Sequence, residues 1–286
     1  MFWVCVFALI KGVFFMDTFL IIDGNSLVNR AFYALPPLTA SDGKYYNAVY
    51  GFVNILARVI TDYHPKYLCV AFDAGRKTFR NELYADYKGT RKGMPDELAQ
   101  QMPVLKDLLT KMGITIIEKL GIEADDIIGT MVRKRTDVKN VIVTGDRDCL
   151  QLINENTEVW LTKHGISDIV EMNERHLLEE WGLRPSQIVD LKALMGDASD
   201  NIPGVLGIGE KGAKSLLVEW DNVDNIYANI DKISGKVQEK LTNGAEMCRL
   251  SYDLATIRTN CDIDNKVEDC TYTFPWDNEV YSLFEQ

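Results

Sequence analysis

Histidine is scarce in this chain: 286 residues carry only His64, His164 and His176. None stands beside a serine or cysteine in a nucleophile motif, so imidazole-based catalysis has no support. Six cysteines occur, at Cys5, Cys69, Cys149, Cys248, Cys261 and Cys270, but no two form a CxxC pair. Free buried thiols in a reducing cytoplasm are therefore expected, rather than zinc sites or disulfides. Positive charge is also short. Lys and Arg number 31 against 42 Asp and Glu, a net charge of −11. Taken over the whole chain, that balance argues against a nucleic-acid partner, which usually leaves a basic footprint. No apolar run is long enough to span a bilayer. The longest, MFWVCVFALIKGVFF, stops at about fifteen residues, short of the ~20 required. No basic residue precedes it and no clean cleavage site follows it, so residues 1–15 are expected to be a spurious or disordered extension before a true start at Met16. Internal repeats and low-complexity segments are absent.

What is present suits a folded protein. The chain is 47% hydrophobic and 26% charged, enough for one large domain or a domain with a smaller appendage. Apolar runs at 18–22, 67–72, 114–117 and 141–144 read as buried strands. Helical periodicity between them, at 47–63, 102–112 and 124–135, implies a mostly parallel central sheet flanked by helices. After about Asn173 short helices joined by Gly- and Pro-containing turns take over. The expected organisation is an α/β catalytic core over 16–173 and a helical region over 174–286.

Three strand runs end in aspartate: Asp23, Asp73 and Asp146. An Asp after a strand often only opens a turn. Three at equivalent positions point instead to the crevice beyond the carboxyl ends of a parallel sheet, where ligands bind. Glu123, Asp125 and Asp126 crowd a helix start, where one acid would suffice to complement the dipole. Asp148 follows Asp146 in TGDRD, and Asp197 and Asp200 lie in GDASDN. Carboxylates without His or Cys favour hard cations, Mg²⁺ or Mn²⁺, over zinc. None of these segments has the EF-hand spacing. Basic residues are gathered in one stretch, 75–95, which holds Arg76, Lys77, Arg80, Lys88, Arg91 and Lys92. Acids grouped for metal and bases grouped for phosphate would answer the objection from net charge.

The segments LIIDGNSLVNRAFYAL, VAFDAGRKTFRNELYADYKGTRKGMP, GIEADDIIGT, TGDRDCLQL and LMGDASDNIPGVLGIGEKGAKSLL resemble, in order and spacing, the 5′-nuclease domain of bacterial DNA polymerase I and its stand-alone and phage relatives. The resemblance runs from about Met16 to the end. It implies a PIN-like or resolvase-like core with a two-metal site. Asp23, Asp73, Glu123 and Asp125 would surround one ion and Asp146, Asp148, Asp197 and Asp200 the other, with Asp126 in the same acidic shell. It implies that the basic stretch is a helical arch admitting single-stranded 5′ ends. There Lys88 and Arg91 would act on the scissile phosphate, Arg76 and Arg80 would contact DNA, and Tyr84 and Tyr87 would be candidates to stack bases. It implies a helix–hairpin–helix at 194–217, where Gly204, Gly207 and Gly209 let backbone N–H groups approach a phosphate, Lys211 and Lys214 add charge, and K⁺ binds.

The expected activity is metal-dependent 5′-3′ exonuclease and 5′-flap endonuclease cleavage of DNA in primer removal, replication and repair. RNA primers in RNA–DNA hybrids are possible substrates, and a DNA polymerase is an expected partner in cis or trans. A cytoplasmic monomer with no membrane association is expected. No polymerase motif is present. Two rival readings are a PIN-type ribonuclease, which would lack the hairpin after GDASDN, and a non-catalytic DNA-binding module, which the acids would weaken.

Overall fold

The computed structural model describes residues 16–41, 43–75, 77–165 and 168–274. Arg76 and the apolar run at 1–15 lie outside the described residues, so the expectations placed on them stay untouched. Six strands form one sheet: β1 (Thr18–Asp23), β2 (Tyr67–Ala71), β3 (Thr115–Ile117), β4 (Lys139–Thr144), β5 (Thr157–His164) and β6 (Asp168–Met172). Their order is β3-β2-β1-β4-β5-β6. All neighbours are parallel except β6, which runs antiparallel on the edge.

Burial on both faces explains the unbroken apolar runs of β1, β2 and β4. Alternate residues feed two separate cores. Phe19, Ile21, Cys69 and Ile142 pack on one face against Ile127, Ile128 and Met131 of helix 124–134. Leu20, Ile22, Val70 and Val143 pack on the other against Phe52, Ile55 and Val59 of helix 47–63. Those helices belong to a set comprising α1 (Gly24–Ala34), α2 (Asn47–Tyr63), α3 (Phe79–Leu83), α4 (Asp96–Ala99), α5 (Gln101–Lys111) and α6 (Ala124–Lys134). The sequence patterns placed β1–β4 and α2, α5 and α6 well, but left β5 and β6 unmarked.

Beyond the sheet come α7 (Glu174–Trp181), α8 (Gln187–Met195), α9 (Glu210–Trp220), α10 (Val223–Ala228), α11 (Gly235–Asn243) and α12 (Ala245–Ala255). They enclose their own core of Leu183, Leu191, Leu194, Ala213, Leu217, Ile226 and Leu241. The turn between α8 and α9 is held by Val205 N–H donating to the Leu194 carbonyl at 2.8 Å. Gly204 has φ +64°, and a Cβ there would lie 2.2 Å from the Gly196 nitrogen, so only glycine fits.

The basic stretch departs from the expected helical arch. Among its described residues it contains one short helix, α3, then turns over 85–90 and irregular chain to 95. It lies against the helical region, with Tyr84 and Tyr87 packed on Val189, Ile202 and Leu254. Among the described residues no helix is long and apolar enough to cross a membrane, and the five described cysteines are free.

Candidate active site

The parallel register aligns the carboxyl ends of β1, β2 and β4, since Asp23 pairs with Ala71 and Ile22 with Val143. Asp23, Asp73 and Asp146 therefore emerge at one edge. They line a cleft of about 1100 Å³ together with Glu123, Asp125, Lys88 and Arg91.

Each acid is held by its local fold. Asp23 caps α1, accepting from Ser26 N–H at 2.9 Å and from the Thr144 hydroxyl at 2.7 Å. Asp73, just past the end of β2, accepts from Ala124 N–H at 2.7 Å at the start of α6, and its own N–H donates to Asn25 Oδ1 at 2.8 Å. Asp146 caps the 3₁₀ turn of residues 147–152, accepting from Asp148 N–H at 2.9 Å. Helix starts carry unpaired N–H groups, which is why the acids cluster there. Asp125 has a weaker partner, the Cys149 thiol at 3.7 Å.

The electrostatics divide the acids. Burial, then the charges of Asp146 and Asp23, push Asp125 well above the usual carboxylate range. Burial pushes Asp23 up to about 7, and burial with repulsion from Asp146 does the same to Asp148. Glu123 is opposite: burial works against ionisation, but Lys88 and Arg80 hold it down to about 2. Asp197 is likewise about 2, because Lys192 outweighs its burial. Around Asp23, Asp125 and Asp148, then, negative charge exceeds its protein counter-charge, a deficit a cation would remedy.

The donors are all oxygen, which fits a hard divalent ion. Among the described residues, no three such side chains yet converge into a coordination shell. Lysines and an arginine stand between them instead. Lys88 Nζ lies 2.6 Å from Glu123 and 3.9 Å from Asp200. Arg91 pairs with Asp200 and reaches the Ser199 carbonyl at 3.3 Å. Lys192 pairs with Asp148 and, at 2.5 Å, with Asp197. Sequence reading missed Lys192; its signal was a lone cation within the otherwise mostly apolar helix QIVDLKALM.

Three sequence expectations need correction. Asp126 does not join the crevice. Successive helix residues point about 100° apart, so Asp126 turns away from Asp125 and is fully buried beneath Arg80. Arg80 is no surface contact for DNA. Its guanidinium, 3% exposed, grips Asp126 through two bonds of 2.7 and 2.9 Å and donates to the Leu254 and Thr256 carbonyls at 2.8 Å. Tyr87 cannot offer its ring to a base, because it is buried with its hydroxyl directed at Glu123 (3.2 Å) and Asp200 (3.3 Å). Tyr84 is half-buried in the same seam.

The hairpin residues stand apart from the crevice. Gly209 caps α9, Lys211 is exposed, and Lys214 pairs with Glu210 at 2.8 Å. The Gly207 carbonyl accepts from Lys240 at 2.8 Å.

Known proteins resemble this chain in both sequence and fold. Residues 18–182 match the model of the 5′-3′ exonuclease N-terminal resolvase-like domain, and 183–278 that of the 5′-3′ exonuclease C-terminal SAM fold. DNA polymerase I of Bacillus subtilis is 42% identical over 268 residues, 93% of this chain but 30% of that protein. The chain thus spans under a third of the curated relative's length. A structure described as T5 5′-exonuclease with bound divalent metal ions (zinc) superposes with a TM-score of 0.68 at 25% identity, covering 84% of this chain and 89% of the other. The bacteriophage T5 flap endonuclease, in a pseudo-enzyme–product complex with DNA and metal ions, shares the fold with a TM-score of 0.69 at 23% identity, covering 94% of this chain and all of that one. With both domain models matched in succession along one chain, and an acidic crevice at the sheet's carboxyl edge, this chain belongs to the 5′-3′ exonuclease family.

Proposed function

We propose that this chain is a metal-dependent 5′-3′ exonuclease and structure-specific 5′-flap endonuclease that hydrolyses DNA by a two-metal-ion mechanism. One observation carries the reading: Asp23, Asp73, Glu123, Asp125 and Asp146 share a single crevice with Lys88 and Arg91. A surface built only to hold DNA would be weakened by such acids. We assign Asp23, Asp73, Glu123 and Asp125 to one ion and Asp146, Asp148, Asp197 and Asp200 to the other. Two Mg²⁺ ions, or Mn²⁺ in their place, would supply activation of water and stabilisation of the leaving oxygen. Backbone N–H donors to Asp23, Asp73 and Asp146 fix those carboxylates before substrate arrives. Lys88 and Arg91 neutralise Glu123 and Asp200, and are placed to turn toward a phosphate entering the crevice.

The turn from Gly204 to Gly209, the start of α9, and Lys211 and Lys214 suit the DNA backbone, with K⁺ assigned to the same turn. Substrates are DNA with 5′ ends or flaps and RNA primers in RNA–DNA hybrids. The role is primer removal, replication and repair by a cytoplasmic monomer, with a polymerase in cis or trans. The test is incubation with 5′-flap, blunt-duplex and single-stranded substrates, with Mg²⁺ or with EDTA. Cleavage near the 5′ end that leaves 5′-phosphates, and only with the metal, is expected. Cleavage that persists after rigorous chelation, or a preference for single-stranded RNA, overturns the reading.

Lys88 offers a sharper check. Its backbone is left-handed, φ +55°, and its N–H donates to the Asp200 carbonyl at 2.8 Å, so the side chain is aimed by a conformation that non-glycine residues resist. A cation that meets the phosphate mainly in the transition state lowers kcat when removed. Lys88→Ala should slow single-turnover cleavage about 10²-fold at saturating DNA. Recovery of the wild-type rate by adding DNA would make Lys88 a binding residue only.

A further inference from the structure

A second cleft of about 440 Å³ adjoins the main crevice, the two sharing Ser26 and Asp146 in their walls. Lys88 and Arg91 line only the first; Arg147, Trp181 and Lys192, with the acids Asp148, Asp197 and Glu210, line only the second. Arg147 is exposed amid acids, yet among the described residues it makes no ion pair or side-chain hydrogen bond. Its guanidinium lies 5.3 Å from the centre of the Trp181 ring, and Lys214 Nζ lies 5.2 Å from the same centre. Trp181 itself is partly buried against both the core on one face of the sheet and the core of the helical region. A ring anchored at that seam gives Arg147 a fixed platform, and cation–π contact orients a cation without satisfying its hydrogen-bond donors. An arginine so placed has its planar fork free for a phosphate.

We propose that this second cleft is a strand-binding subsite. Arg147, presented by Trp181 and flanked by Lys214, takes a phosphodiester of the nucleic-acid strand on the side of Asp146 opposite Lys88 and Arg91. The strand then meets cations in each cleft, Lys88 and Arg91 in the first and Arg147 in the second, which offsets the carboxylates that line both, among them Asp148, Asp197 and Glu210 in the second. The proposal rests on the nuclease reading and adds a contact that reading does not contain.

The test is binding of a fluorescent 5′-flap DNA to the full chain with Ca²⁺ in place of Mg²⁺, across a salt series, alongside cleavage by each variant in Mg²⁺. Arg147→Ala should weaken binding roughly five- to tenfold and lower the slope of log K against log salt by about one unit. The fall in kcat/KM should be carried by KM. Arg147→Lys should keep most of the slope. Trp181→Phe, which keeps a platform, should bind more tightly than Trp181→Leu, and adding Trp181→Leu to Arg147→Ala should cost little more, because the pair acts as one unit. Lys111→Ala, at the end of α5 where the chain turns into the start of β3 and so at the opposite edge of the sheet, controls for charge alone. An Arg147→Ala slope equal to wild type, or a loss matched by Lys111→Ala, overturns the subsite while wild-type cleavage leaves the nuclease reading standing. Wild type that neither binds nor cleaves DNA removes that reading and the subsite with it.

Discussion

Asp125→Asn should abolish cleavage while making the protein more stable. Asp125 is half-buried in the crevice, where desolvation and repulsion from Asp146 and Asp23 both disfavour its charge. Asparagine is nearly isosteric and carries no charge, so it relieves that repulsion but supplies a poorer ligand for a cation. Single-turnover cleavage should fall at least about 10³-fold. DNA affinity in Ca²⁺ should hold or tighten, because a negative charge near the phosphates is gone. The stability gain has a definite sign with pH. A carboxyl whose folded pKa lies above its unfolded value stabilises the protonated fold, and that contribution is lost as pH rises from the ordinary value near 4 through the folded one. Measured in EDTA, the Tm advantage of Asp125→Asn should therefore grow from about pH 4 toward neutrality, and divalent ions should raise the wild-type Tm more than the variant's. Near-normal turnover, or a variant less stable than wild type at neutral pH in EDTA, would show that Asp125 is a structural cap and not part of a strained, functional cluster.

The second large effect is structural. Removing the Arg80 side chain should cost about 3–5 kcal/mol of folding stability, the usual penalty for leaving one partner of a buried ion pair alone. Asp126, wholly buried, would keep only the Arg258 N–H at 2.9 Å. Arg80 also ties three elements: it stands on α3, grips α6 through Asp126, and binds carbonyls at the end of α12. Arg80→Lys should recover little, since an ammonium cannot make the paired contact to Asp126 and reach both carbonyls as well. Denaturant unfolding of Arg80→Ala, Arg80→Lys and wild type decides the matter. Were Arg80 a phosphate contact, Arg80→Ala would leave the midpoint unchanged and lower the salt slope of DNA binding by about one unit.

Arg80 and Asp126 mark where reading the sequence stops. Both looked functional: one lay in the basic stretch, the other in an acidic cluster. Nothing in a run such as EADD says which of two adjacent acids faces the crevice, although the helical face of Ile127, Ile128 and Met131 sets Asp126 apart once α6 is oriented on the sheet. Tyr87 is ambiguous in the sequence for the same reason, since an aromatic among basic residues serves a base or a core depending on what packs above it. Here α8, Ile202 and α12 cover it. β5 and β6 escaped notice because β5 is half charged or polar and β6 lies on an edge, where apolar patterning is weak.

The sequence by itself determined the parallel α/β core, because buried strands need unbroken apolar runs and each of the runs 18–22, 67–72 and 141–144 is followed directly or after one glycine by an aspartate. It also determined the chemistry on offer, many oxygens and almost no imidazole, since that depends on residue type alone. Only the tertiary structure decided which charges meet. The strand order β2-β1-β4 carries Asp73, Asp23 and Asp146 to one edge. The packing of the basic stretch on the helical region sends Lys88 and Arg91 to the crevice and buries Arg80. Lys192 reaches Asp148 and Asp197 from α8, a helix that Asp148 precedes in the chain with β5, β6 and α7 between. Coulombic partners are set by distance through space, and no local pattern along the chain encodes that distance.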